Sequence, residues 1–175
     1  MPTTSPPPAP TPDFATRPAP SDWPRLSTAL YYQAPAAAID WLCLAFGFEV
    51  RLKVEGEGGA IVHSELTFGP DGLIMVGAEE AAHRPEATQR RSPRSLGGAN
   101  TQSVMLFVDD ADAHCAHARA HGARITQEPK TSDYGEDYWT DRSYEAEDLE
   151  GHRWWFVQRL RAPSGPAKRG TVSEQ

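Results

Sequence analysis

The chain has 175 residues, enough for one domain of ordinary size and too few for two large ones. Its formal net charge of -7 excludes a general nucleic-acid binder, which needs clustered Lys and Arg against phosphate. No stretch approaches the roughly 20 apolar residues of a membrane span, and the start lacks the basic and continuous apolar regions of a secretory signal, so a soluble, cytoplasmic protein without membrane partners is expected.

Residues 1–21, MPTTSPPPAPTPDFATRPAPS, are rich in Pro, Ala and Thr and poor in large aliphatics, which predicts a disordered tail. The domain then runs over 22–160. Its first part, LYYQAPAAAIDWLCLAFGFEV from Leu30 to Val50, reads as a short strand, a turn, an Ala-rich helix opened by Pro35 and stopped by Gly47, and a further strand. Ala36, Ile39, Cys43 and Phe46 make the helical apolar stripe. Strands are predicted over Glu49–Glu55, Ala60–Gly69 and, after the turn Pro70-Asp71-Gly72, Gly72–Gly77. Residues 79–100 form a linker that carries the basic run HRPEATQRRSPR, His83 to Arg94; its Pro and Ser content suits a solvated connection better than a docking site.

The second part repeats the first. LFVDDADAHCAHARAHGARIT, Leu106 to Thr126, gives strand, turn, helix, Gly and strand in the same order, with Asp110 as N-cap, Ala111, Cys115 and Ala118 as the apolar stripe and Gly122 at the C-terminus. Strands follow over Ala123–Glu128, around Arg142–Glu147 and over Arg153–Arg159, with TSDYGEDYWTD as a loop and Asp148 to Gly151 as a tight turn. Residues 161–175 read as a second tail. Two tandem βαβββ units, about 25–78 and 101–160, define an α+β fold with curved mixed sheets around a cavity and helices on the outside. Cys43 and Cys115 read as reduced, buried thiols.

Two such units, together with DYGEDYWTDRSYEAEDLEGHRWWF, resemble the vicinal oxygen chelate superfamily of glyoxalase I, bleomycin-resistance proteins and extradiol dioxygenases over about Arg25 to Leu160. The closing hairpin carries most of the likeness, with Leu149 in place of the usual Pro. The resemblance implies a homodimer, whose cavities often form between subunits. It also implies four metal-ligand positions, which fall on Ser27, Glu65, Ser103 and Trp155; a two-residue slip brings in His63. Two hydroxyls and an indole cannot hold a first-row divalent ion, so no metal or other cofactor is expected. His114, His117 and His121 form a stripe read as the polar flank of a covering helix, and His152 as a hairpin residue.

Strand alternation assigns Ser27, Tyr31, Ser103, Met105, Phe107 and Trp155 to the cavity, with Tyr138 and Trp139 closing over it from the loop. Arg142 and Tyr144 are candidate anchors for an anionic or carbonyl group. This lining suits a planar, partly apolar small molecule. Two readings follow: a protein that binds an aromatic or amphipathic metabolite or antibiotic, or a lyase, isomerase or cyclase with Glu65 as general base and His63 as relay or, as the disfavoured option, with a divalent metal. A third, an interaction protein using the basic linker, is weaker.

Overall fold

The computed structural model describes residues 15, 17–80, 90–163 and 165. Most of the two expected tails, and residues 83–89 of the basic run, lie outside the described residues.

Unit 1 contains β1 (Thr28–Tyr32), α1 (Pro35–Phe46), β2 (Glu49–Glu55), β3 (Ile61–Phe68) and β4 (Gly72–Ala78). Unit 2 repeats the order with β5 (Ser103–Phe107), α2 (Ala111–Ala120), β6 (Arg124–Asp133), β7 (Thr140–Glu147) and β8 (Arg153–Arg161). Each unit makes one mixed four-stranded sheet, ordered β1-β4-β3-β2 and β5-β8-β7-β6, with β1 parallel to β4 and β5 parallel to β8. The α+β architecture and the duplication follow the sequence, and neither sheet closes into a barrel.

The alternation of the strands decides which face each helix covers. Leu30 and Tyr32 on β1, Leu66 on β3, Ile74 and Val76 on β4 are buried against α1, whose own buried face is Ala38, Ile39, Leu42, Ala45 and Phe46. In unit 2, Tyr144, Ala146, Trp154 and Phe156 are fully buried on the corresponding side. The two helices pack on each other, and one core spans both units. The Phe46 ring lies edge-on to Trp154 at 5.4 Å and Phe156 at 4.8 Å, so the end of α1 is seated on the last strand of the other unit.

The histidine stripe of α2 lies in this seam. The last carbonyls of a helix have no partner within it; here His114 Nε2 donates to Phe46 O at 3.1 Å and His117 Nε2 donates to Leu44 O at 2.8 Å. With Nε2 as donor, the neutral His114 ring accepts the Tyr144 hydroxyl proton at Nδ1, 2.5 Å away. His114 and His117 therefore fasten one unit to the other, on what the sequence suggested was the polar flank of a covering helix.

The turn after β7 is the second fastening. Asp148 accepts from the Tyr32 hydroxyl at 2.6 Å, from Trp154 Nε1 at 3.0 Å and from the Glu150 and His152 amides, each at 3.0 Å. Glu150 reaches α1, which has no side-chain cap of its own at Ala34: its carboxylate accepts from the Gln33 and Ala34 amides at 2.8 and 2.9 Å and from the Ser92 hydroxyl at 2.6 Å. His152 Nε2 donates to Tyr31 O at 3.0 Å. The segment Asp148 to His152 is an N-cap supplied by one unit to the helix of the other.

Candidate functional site on the inner sheet faces

The faces turned away from the helices carry the candidate site. On unit 1, β3 presents His63 and Glu65, whose side chains lie two residues apart on one strand face, with His63 Nε2 donating to Glu65 Oε1 at 2.8 Å. The second carboxylate oxygen faces Arg51 Nε at 3.5 Å. A register irregularity in β2 between Val50 and Leu52 brings Arg51 beside Glu65. The Arg51 guanidinium in turn lies over the Trp23 ring at 5.3 Å, and Trp23 Nε1 donates to Ser27 Oγ at 3.3 Å. Tyr31 packs against Gly77, where an added Cβ would sit 3.4 Å from the ring, and the Arg90 guanidinium lies over the ring at 4.8 Å.

On unit 2, β5 presents Ser103, Met105 and Phe107, and β8 presents Arg153, Trp155, Val157 and Arg159. Met105 stands in register with Trp155. Met105 and Phe107 are 58% and 51% exposed, unusual for large apolar side chains on a sheet face. The Arg159 guanidinium lies 5.2 Å from both the Phe107 and Trp139 rings and pairs with the buried Asp141. This brings the loop aromatic Trp139 to the platform, with Tyr138 edge-on to it at 6.0 Å. Beside Trp155, its ladder partner Glu145 accepts from Arg153 at 2.7 Å and from Thr126 at 2.6 Å.

Two expected ligand residues point elsewhere. Tyr144 is fully buried on the helix side against His114 and stacks on Phe156, and burial raises its phenol well above its ordinary pKa. Arg142, two residues before it, pairs with Asp112 of α2. Alternation explains both: β7 turns Asp141, Ser143 and Glu145 to the inner face and residues 142, 144 and 146 to the core. A cavity of about 860 Å³ lies between β5 and the Phe68–Gly72 turn, lined by Met105, Phe107 and Asp110 and also by Phe46, His114 and His117 at the helix ends.

The profile of the Glyoxalase/Bleomycin resistance protein/Dioxygenase superfamily matches residues 26–156. The chain belongs to that superfamily. Among solved structures it is similar to TioX from Micromonospora sp. ML1, at 32% identity over 77% of this chain and 98% of that one, with a TM-score of 0.59. A glyoxalase/bleomycin resistance protein from Streptomyces sp. CB03234 shares the fold at 18% identity, covering 75% of this chain and 97% of its own, with a TM-score of 0.55. An uncharacterised protein of Mycobacterium tuberculosis strain H37Rv is 27% identical over 154 residues, 87% of this chain and 84% of that protein.

Superfamily membership makes the metal positions testable by register. Tyr31 and Phe107 each stand four residues ahead of the first helical residue, Pro35 and Ala111, so Ala29 and Met105 correspond. Their ladder partners, Met75 and Trp155, therefore correspond as well. The position equivalent to Trp155 is Met75 on β4, and Glu65 is one strand further out on β3; this corrects the assignment made from sequence. Ser27, Met75, Ser103 and Trp155 do not fit a divalent metal, and among the described residues no three His, Cys, Asp or Glu side chains cluster to hold one. Sequence reasoning missed Arg51, hidden by the β2 irregularity, and Arg159, which a continued 153/155/157 alternation would have found.

Proposed function

We propose that the protein is a metal-free binder of an aromatic or amphipathic small molecule, held on the inner face of unit 2 by Trp155, Phe107 and Met105. The observation that carries this reading is the exposed Met105–Phe107 pair beside Trp155, flanked by the Phe107–Arg159–Trp139 stack. Such a surface offers a flat apolar contact with an adjacent cation, which suits a planar ring carrying a polar or anionic edge. Membership of a superfamily that includes bleomycin resistance proteins supports it. The protein acts as a homodimer in which the inner face of a partner's unit covers the platform, because within one chain the sheets share no ladder and Met105 and Phe107 of unit 2 stay exposed.

The test is fluorescence titration with a panel of planar aromatic compounds. Trp155→Ala should weaken any binding about tenfold or more, as loss of an aromatic anchor does. Unchanged affinity in both Trp155→Ala and Phe107→Ala would sink the reading. The His63–Glu65 contact of 2.8 Å favours one competing reading, general-base catalysis. Turnover of a carbonyl compound that Glu65→Gln abolishes would establish it, whereas retained affinity in that variant favours binding alone.

A further inference from the structure

On unit 1 the inner face is covered by the chain's own N-terminal segment. Residues 19–24 line one side of an open cavity of about 460 Å³, with Arg51, Thr67, Pro70, Asp71, Gly72 and Leu73 on the other. Three directed contacts fix the centre of this strap. Trp23 Nε1 donates to Ser27 Oγ, the Trp23 ring lies against the Arg51 guanidinium, and Asp22 pairs with Arg51 at 3.8 Å. Arg51 is shared with Glu65, which is only 7% exposed although it stands on a sheet face with no helix over it. The strap is not part of the strand ladders, and its neighbours Arg25 and Leu26 are exposed, Leu26 by 87%. Among the described residues 19–24, the indole and the Asp22 carboxylate make the directed side-chain contacts of its tip.

We propose that Trp23 is a built-in occupant of a second aromatic site, and that the site takes a fused bicyclic aromatic molecule bearing an N–H or O–H donor. The indole displays the recognition chemistry: a π face against Arg51 and one donor aimed at the Ser27 hydroxyl. A ligand of that class replaces the ring and leaves the Arg51–Glu65–His63 contacts in place. Because the occupant is tethered, it competes at high effective concentration, and the apparent affinity of a free ligand falls by the fraction of time the site is open. The proposal rests on the reading that the inner faces bind aromatic molecules, and it assigns unit 1 a ligand class and a self-occlusion that unit 2 lacks.

Calorimetric titration of the full chain with free indole tests it, using 1-methylindole, which keeps the ring and lacks the donor, as the comparison. Trp23→Ala should bind indole about tenfold more tightly than the native chain. That gain should be several-fold smaller for 1-methylindole, and Ser27→Ala placed on Trp23→Ala should remove most of it. Trp23→Phe, which keeps an aromatic ring without the N–H, should fall between the two and guards against misfolding of the alanine variant. Equal or weaker indole binding by Trp23→Ala, with the circular dichroism spectrum unchanged, overturns the proposal. Trp155→Ala separates the two sites: a Trp23→Ala gain that survives it upholds the strap even where the unit 2 platform fails, while binding lost with Trp155→Ala and indifferent to Trp23 upholds the platform and removes the strap.

Discussion

Ser64 illustrates how much a single buried residue can carry. The β3–β4 ladder runs only from Leu66 to Phe68, and above it the Ser64 hydroxyl donates to Val76 O at 2.6 Å and accepts from Val76 N at 3.0 Å. Ser64→Ala leaves both backbone groups unpaired at 1% exposure, so a loss of about 2–3 kcal/mol is expected in urea denaturation. His114 sets a pH dependence. Burial lowers its pKa below the ordinary 6.5, the bond to Phe46 O partly opposes this, and neighbouring His117 lowers it further. The unfolded chain therefore takes up the proton first: stability is full above about pH 6.5 and declines as pH falls toward the folded value. Denaturation midpoints measured from pH 7.5 to 5.5 should fall, and His114→Gln should flatten that slope. Neither role was legible in the sequence, since the partners of Ser64 and His114, backbone groups and the Tyr144 hydroxyl, lie on other elements.

At the scale of elements, most boundaries could be read. Asp110 caps α2 through its Oδ1, Gly47 ends α1 at φ 78°, and β2 spans Glu49–Glu55 as alternation predicts. The second long hairpin could not: β6 was expected to stop at Glu128, yet it continues past Pro129 to Asp133. Proline tolerates this place because β6 is an edge strand and the register breaks between Gln127 and Lys130. The turn Asp148 to Gly151 was legible as a turn, and its target was not. Glu150→Gln should cost about 1–3 kcal/mol, measured as a lowered melting temperature, because a charged cap on the Gln33 and Ala34 amides becomes neutral. Burial alone would raise the Glu150 pKa, but Ser92, the two amides and Arg94 outweigh it and hold the group below its ordinary value. That contribution is present above the ordinary carboxylate range and is lost as pH falls through the folded value. Gly151, at φ 90°, adds a second handle: Gly151→Ala should destabilise the same turn by about 1–2 kcal/mol.

For the molecule as a whole, the two units are joined back to back through α1, α2 and the Asp148–Glu150 turn, with the inner faces outward. β1 and β5 each keep one unpaired edge, and Leu26, Met105 and Phe107 remain exposed. Light scattering of the purified chain should therefore give the mass of a dimer, and a Met105→Glu, Phe107→Glu double variant should shift it toward monomer; a native chain that stays monomeric at high micromolar concentration would contradict the homodimer.

What the sequence determined by itself were the properties that repeat locally: two βαβββ units, the faces of most of their strands, the helix ends and the apolar character of Met105, Phe107 and Trp155. Periodicity and turn chemistry act over a few residues, so they survive without knowledge of the partner. Tertiary structure decided which side of β7 faced inward, that Arg51 stands between Trp23 and Glu65, that Met75 and not Glu65 matches Trp155, and that the histidines and Glu150 fasten one unit to the other. Those contacts join residues up to 117 positions apart, and a one-residue shift in strand register reverses the face each side chain occupies.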